Sequence, residues 1–311
     1  MSERHEAAFP RRRLGATGVD VSIMALGGYH LGVPPEDEAI RIIHAAIDGG
    51  ITFLDNAWEY NDGRSEERVG KALAQDDYRQ KVFLMTKNCA HDRTAQNSMI
   101  KLEESLRRLR TDHLDLWQIH EVVWPDDPDR IYAPGGAAEA MLKAKEEGKV
   151  RFIGFTGHKS PAIFRRMLAV DFPWDTIQMP VNVLDAHFNS FQREIIPLAR
   201  QKGIGLIGMK SLAAGRLPKE TDVPPEDAIR YSLSQDIDSL CVGVDSMTVL
   251  AQDLRIGRGF TPLSAEAQAD LLARAYSHGW DGRHERFKVS HDFEGAEARK
   301  EHGLPLQTAA D

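Results

Sequence analysis

Ile51-Thr52-Phe53-Leu54, Lys81-Val82-Phe83-Leu84-Met85-Thr86 and Leu114-Asp115-Leu116-Trp117-Gln118-Ile119 are three short apolar runs, rich in β-branched and aromatic residues. A helical pattern separates each from the next, which is how parallel strands with crossover helices read. Working outward, further strands are expected near Ile23 to Gly27, Arg151 to Phe155, Thr176 to Met179, Ile204 to Met209 and Leu240 to Gly243. Glu36 to Asp48 reads as an amphipathic helix stopped by Gly49-Gly50, and Glu139 to Glu147 as one ending at Gly148, since glycine commonly closes a helix. Eight such units in 311 residues predict an α/β fold, a (β/α)8 barrel of the TIM type, with an extra helix over Ala265 to Gly279.

Asp55, Tyr60, Lys87 and His120 fall at or just after the ends of the three opening runs, where a barrel gathers side chains at one rim. A tyrosine hydroxyl is a poor acid near neutrality, with an ordinary pKa of about 10. An ammonium such as Lys87 close by is expected to lower that value toward the working pH, with Asp55 holding the lysine charged and oriented. His120 can fix the same substrate oxygen through one ring nitrogen. The set offers a proton and stabilises a developing alkoxide, so the hydride must come from a cofactor. Taken singly, Asp55 and Lys87 also read as a barrel-end ion pair and His120 as a core histidine. The coincidence of all four at strand ends favours a catalytic site.

The run from Phe53 to Leu73, containing Asp55-Asn56-Ala57-Trp58-Glu59-Tyr60-Asn61-Asp62-Gly63, resembles the aldo-keto reductase signature. Met85-Thr86-Lys87, Leu116-Trp117-Gln118-Ile119-His120 and Glu147 to Thr156 resemble later motifs of that family in the same order, so the likeness covers residues 11 to 295 or so. The resemblance implies a nicotinamide cofactor bound across the C-terminal rim without a Rossmann fold. It also implies Tyr60 as proton donor, Lys87 and Asp55 as its activators, and His120 as the residue orienting the carbonyl. A short N-terminal hairpin closing the barrel floor is implied too, with Arg11-Arg12-Arg13 on a solvated face, and so is a C-terminal loop over the active-site rim, here Asp281 to Leu304. The whole chain, residues 1–311, then reads as one such barrel, with 296–311 as an expected flexible tail.

The same resemblance marks the cofactor positions. Thr156-Gly157 stands where the family often has Ser-Asn, so Thr156 keeps a contact to the nicotinamide carboxamide that Gly157 loses; backbone, His158 or Gln178 must supply the rest. Met209 replaces a common stacking aromatic, and Lys210 is expected near the pyrophosphate as a point charge. Gly243, Ser246 and Asp253 complete the set, with Ser246 at a helix start suited to the adenosine phosphate. Where the family grips the 2′-phosphate of NADP there is Val249, and Asp245 adds negative charge, the usual device for choosing NAD. NADP remains the family expectation, with NAD the alternative and Lys210, Arg255 or Arg258 available to compensate. Trp58, Glu59 and Trp124 are expected on the substrate-pocket wall, Glu59 disfavouring anionic substrates.

The formal net charge of −8 disfavours nucleic acid and anionic membrane surfaces as partners. Cys89 and Cys241 lack the spacing of a disulfide framework or a zinc site, and no metal is expected. Asp20 interrupts what would be an export signal after the arginines, and no apolar run approaches a membrane span, so a cytoplasmic enzyme acting on a small-molecule carbonyl or alcohol is expected. Two other readings stay open: an NAD(P)-binding regulatory or redox-sensor subunit, and a barrel enzyme using Lys87 as a Schiff-base amine.

Overall fold

The strands alternate side chains in and out of a cylinder, and that alternation positions the site. The computed structural model describes residues 8–90, 92–290 and 293. Eight parallel strands close the barrel: β3 (Met24–Gly27), β4 (Phe53–Asp55), β5 (Phe83–Lys87), β6 (Leu114–Ile119), β7 (Val150–Thr156), β8 (Thr176–Pro180), β9 (Gly205–Met209) and β10 (Ser239–Gly243), with β10 pairing back to β3. Every expected strand is present, within one or two residues at each end. In β4 the strand begins at Phe53 rather than Ile51 because the Thr52 and Phe53 N–H groups donate to Ser22 Oγ (3.1 and 3.2 Å) before the ladder starts.

Ala25, Phe53, Phe83, Met85, Leu116 and Ile207 form the inner layer, joined by Phe152 and Cys241. Their neighbours Leu26, Leu54, Leu84, Trp117 and Leu240 belong instead to the larger core between strands and helices. Because side chains alternate with period two, Asp55 shares the inward parity of Phe53, and Lys87 that of Phe83 and Met85. Both project into the barrel at its C-terminal end. The crossover helices include Glu36–Asp48, Arg64–Leu73, Ala95–Leu109, Ala137–Glu146 and Met247–Arg258, and the extra helix is Ala265–Gly279.

At the floor, β1 (Arg11–Arg13) and β2 (Asp20–Ser22) form the antiparallel hairpin, whose Leu14 and Val21 plug the inner layer. Gly15 has a φ of +47°, and a Cβ there would sit 2.3 Å from the Gly205 nitrogen, so the plug needs glycine at that turn. The arginines do not all lie on a solvated face. Arg11 and Arg13 are exposed, but half-buried Arg12 donates to the carbonyls of Ile237 (2.7 Å) and Leu233 (2.8 Å), the latter ending the helix Pro225–Leu233. A cation there complements the unsatisfied carbonyls of a helix C-terminus.

The C-terminal segment reaches back over the rim. Its single turn Arg286–Val289 buries Phe287 completely, and Lys288 Nζ donates to Asp185 Oδ1 (2.6 Å), Glu285 Oε2 (2.8 Å) and Phe188 O (2.8 Å). Residues 296–311, the expected tail, lie outside the described residues. Among the described residues no helix is long and apolar enough to cross a membrane, and no group of three or more acidic, His or Cys side chains could hold a metal ion. Cys89 and Cys241 are not joined by a disulfide.

Lys288→Met removes the cation from two buried carboxylates, which typically costs about 3–5 kcal/mol. A lower melting temperature and faster tryptic cleavage near Arg283 and Arg286 are expected at pH 8. Burial already raises the Glu285 carboxyl to about 7, despite Lys288, so at pH 6 it takes up a proton and the loss is smaller. Equal losses at both pH values would contradict this account of the latch.

Candidate active site

Lys87 Nζ forms a buried ion pair with Asp55 Oδ1 and donates to the Asn56 carbonyl (2.7 Å) and the Tyr60 hydroxyl (3.3 Å). The other Asp55 oxygen accepts from Gln178 Nε2 (2.6 Å). Tyr60 stands in the turn after β4, its ring edge-on to His120 at 5.6 Å between centroids. His120 is the first residue beyond β6, and Arg93 and Asn88 hold its backbone. Arg93 Nη1 donates to the His120 carbonyl (2.7 Å), and the His120 N–H donates to Asn88 Oδ1 (3.0 Å). The structure therefore brings Asp55, Tyr60, Lys87 and His120 together at the barrel mouth.

The acidity of Tyr60 differs from expectation. Burial, reinforced by Asp55 and by Cys241, Glu121 and Glu59, pushes the hydroxyl well above its usual pKa. Lys87 does not reverse this because its charge is already matched by Asp55 and shared with the Asn56 carbonyl. At neutral pH Tyr60 keeps its proton, ready to give it only to a stronger base such as a nascent alkoxide.

Two of the expected pocket residues point elsewhere. The Trp58 indole turns outward to the helix Ala95–Leu109, where Nε1 donates to Glu104 Oε2 (2.7 Å) and Lys101 Nζ lies 4.2 Å from the ring centroid. Glu59 does not line an open wall: its Oε1 meets His120 Nδ1, and its Oε2 accepts from the Ala90 N–H (3.2 Å). Trp124 is half-buried on the loop after β6, its N–H donating to Asp127 Oδ2 (2.9 Å). The exposed Tyr29, from the helical turn Gly28–Leu31 directly after β3, packs edge-on to Tyr60 at 5.7 Å, a neighbour that the strand-end rule would have found. Arg93, paired with Asp127 (2.8 Å), left no comparable trace in the sequence pattern.

The far side of the mouth carries the cofactor candidates. Thr156 ends β7, buried; a Cβ on Gly157 would lie 2.4 Å from the Val122 carbonyl, so the missing side chain reflects close packing. The Gly157 N–H is spent on the Gln178 carbonyl (3.3 Å), and His158 is buried against Phe287, with Nδ1 donating to its carbonyl (3.4 Å). This leaves Gln178, whose Oε1 is buried without a hydrogen-bond partner and suits an incoming amide N–H. Met209 is half-buried at the end of β9. Lys210 follows at a φ of +57°, its ammonium 5.3 Å from the Phe287 ring centroid. Burial lowers the Lys210 pKa against the pull of Glu121. Glu121, also left-handed at +47°, is held at about 2: burial opposes its charge, but the His158 ring 3.7 Å away and the fields of His120 and Lys210 outweigh that. Such backbone costs about 1–3 kcal/mol per residue and gathers at functional mouths.

Gly243 ends β10, packed so closely on His30 that a Cβ would lie 2.4 Å from its ring. Ser246 caps the helix Met247–Arg258, accepting from the Val249 N–H (3.4 Å). Asp253 is buried on that helix. The residues present fit a nicotinamide dinucleotide, on the strength of the orphaned Gln178 oxygen, the Lys210 cation and the capped helix start.

A profile of the Aldo/keto reductase family matches residues 23–255. Aldo-keto reductase YhdN of Bacillus subtilis (strain 168) is 34% identical over 212 residues, covering 65% of this chain and 60% of that protein's own length. L-galactose dehydrogenase of Arabidopsis thaliana is 29% identical over 225 residues, 69% of this chain and 68% of the relative. Among solved structures, aldo-keto reductase AKR11C1 from Bacillus halodurans in its holo form aligns with a TM-score of 0.74 at 26% identity, over 89% of this chain and 99% of that one.

Burial alone raises the Asp253 carboxyl from 3.8 to about 7. An acid whose folded pKa exceeds its unfolded one binds its proton longer when folded, so stability falls as pH rises through that window and levels off above it. Each unit is worth about 1.4 kcal/mol. Asp253→Asn is therefore expected to melt at a higher temperature than the parent at pH 8, with the advantage shrinking toward pH 4. A pH-independent difference between the two melting curves would refute the assignment.

Proposed function

Because the chain belongs to the aldo/keto reductase family, we propose that it reduces the carbonyl of an aldehyde, ketone or sugar to an alcohol, with Tyr60 as proton donor. The observation that carries this reading is the contact of Tyr60 with Lys87 and His120 over a buried Asp55–Lys87 pair. A nicotinamide cofactor, when bound, supplies the hydride. Thr156, Gln178, Met209, Lys210, Gly243, Ser246 and Asp253 are the residues that would hold it.

Tyr60 holds the transferable proton, and its raised pKa keeps it protonated until charge develops on the substrate oxygen. His120 orients that oxygen. Lys87, charged and fixed by Asp55, offsets the phenolate left behind. Gln178 locks the second Asp55 oxygen, so that Asp55 stays directed at Lys87. Tyr29, exposed and edge-on to Tyr60, is the pocket wall in place of Trp58. The sugar substrate named for L-galactose dehydrogenase supports including polyhydroxylated carbonyls in the class. Two cysteines not joined by a disulfide fit a cytoplasmic setting.

On cofactor choice, Asp245 is exposed at the start of the helix Met247–Arg258, and Val249 packs on the core. Arg255 is paired with Glu226 (2.6 Å), and Arg258 donates to the Gly49 carbonyl (3.2 Å), so two of the three potential compensators are engaged and Lys210 is left. Discrimination between NADPH and NADH is expected to be weak, with kcat/KM values within about tenfold, a difference of about 1.4 kcal/mol. A strong NADPH preference would sink this part.

The decisive experiment follows loss of reduced-nicotinamide absorbance with a panel of aldehydes, ketones and sugars. Turnover by the parent and a loss of at least about 100-fold in Tyr60→Phe, the span of general acid catalysis, are expected. Tight cofactor binding without turnover on any carbonyl would favour the sensor reading.

A further inference from the structure

We propose that Glu121 and His158 form a substrate subsite for hydroxyl groups on the carbons beside the reacting carbonyl, so that polyhydroxylated aldehydes and ketones are turned over in preference to their deoxygenated counterparts. The proposal rests on the reductase reading above and narrows its substrate class.

Two strand ends bring the pair together. Glu121 is the second residue beyond β6, directly after His120, and His158 is the second beyond β7. The two loops run close: the Val122 N–H donates to the Thr156 carbonyl (2.7 Å), and Gly157 packs on the Val122 carbonyl with no room for a Cβ. Arg93 Nη2 donates to the Glu121 carbonyl (2.7 Å) and so pins Glu121 in its left-handed conformation. Backbone held in that region by its surroundings is concentrated at functional sites. The Glu121 charge is also felt at the Tyr60 hydroxyl, which sets the carboxylate beside the reacting position.

Neither side chain is satisfied within the protein. Glu121 Oε2 and His158 Nε2 are buried without a hydrogen-bond partner among the described residues, and Glu121 Oε1 stands 3.7 Å from Nε2, too far for a hydrogen bond. The His158 side chain is 3% exposed, whereas that of Glu121 is 21% exposed, so a ligand would meet the carboxylate first. The His158 ring is fixed at Nδ1, which donates to the Phe287 carbonyl (3.4 Å), and by edge-on packing against the Phe287 ring. A carbonyl only accepts, so Nδ1 carries the proton and Nε2 of the neutral ring is a lone pair. Burial lowers the His158 pKa, which favours that neutral form, and Glu121 is ionised. Two acceptors therefore face each other with no hydrogen between them.

The group that suits this gap is neutral and has two hydrogens to give. An added cation would meet the field of Lys210, which already acts on Glu121, and an anion would meet the carboxylate itself. A single hydroxyl serves one acceptor; a vicinal diol serves both, with one hydrogen to Glu121 and the other to His158 Nε2. A methylene in the same place leaves both acceptors buried and unpaired, and a site built on such groups discriminates strongly against a substrate that lacks their partners. Because Glu121 follows His120 directly, the carbons next to a carbonyl held at Tyr60 and His120 are the ones placed to reach it.

The test follows reduced-nicotinamide oxidation and compares kcat/KM for glyceraldehyde, which carries both hydroxyls, with that for propanal, which carries neither. Full-length parent, Glu121→Met and His158→Phe are measured. Each aldehyde is compared with itself across the three proteins, so its intrinsic reactivity cancels. In Glu121→Met the loss with glyceraldehyde is expected to exceed the loss with propanal by at least about tenfold, the lower end for a hydrogen bond to a charged group. In His158→Phe, which keeps the aromatic packing, the excess is expected to be about fivefold, as for a neutral acceptor. Equal losses on the two aldehydes in a folded Glu121→Met, the mark of a structural or purely electrostatic role, overturn the proposal. Should Glu121→Met not fold, His158→Phe and inhibition of the parent decide: glycerol is expected to inhibit more strongly than propan-1-ol by at least about tenfold, and equal inhibition by the two overturns the proposal. Absence of turnover by the parent on any aldehyde, ketone or sugar overturns the reductase reading instead, whereas turnover of propanal with equal losses leaves that reading standing and removes the subsite.

Discussion

The pairing of Lys87 with Asp55 inside the barrel mouth is the constraint around which the site is arranged. Each charge, buried alone, would cost several kcal/mol in lost hydration, and a pair is tolerated only when its remaining donors and acceptors are also satisfied. Here the Asn56 carbonyl and Tyr60 hydroxyl accept from Lys87, and Gln178 donates to Asp55. Three strands and one loop thereby converge on two side chains. Burial, reinforced by Asp55, keeps Tyr60 neutral, and the nearest positive charge, already matched by Asp55, does not offset it.

Register places the pair. Asp55 lies opposite Met85 in the β4–β5 ladder, so Lys87, two residues beyond on the same inner face, comes alongside the Asp55 carboxylate rather than opposite its backbone. A one-residue slip would turn Lys87 toward the helices and Thr86 into the barrel. Thr86 instead donates to buried Glu66 Oε1 on the outer side (2.6 Å), which opposes such a slip. Polar anchors on both faces therefore reinforce what the hydrophobic layers already require.

The loops rest on a second tier of buried charge. Arg93 and Asp127 organise the loop after β6, with Asp127 Oδ2 accepting the N–H groups of Val123 and Trp124 (2.8 and 2.9 Å). Lys288, between Asp185 and Glu285, secures the segment that lays Phe287 against His158 and Lys210. Barrel strands present side chains accurately, but loops need such internal fastening to hold a constellation within a few tenths of an ångström.

Much of this was legible in the chain itself. Short apolar runs separated by helical patterns identified eight strands, their crossover helices and the added helix, and the strand ends located Asp55, Lys87 and His120, because such patterning is a local property written residue by residue. Three-dimensional packing decided the rest. Trp58 and Glu59 are adjacent on one loop, yet the first turns out to Lys101 and Glu104 and the second in to His120. Arg12 leaves its two exposed neighbours to cap a helix more than 200 positions away. The acidity of Tyr60 was misjudged from sequence because proximity to a lysine says nothing about whether that lysine is already neutralised. Side-chain direction in loops and the balance of buried charge depend on partners distant in sequence, and only the closed barrel brings those partners into contact.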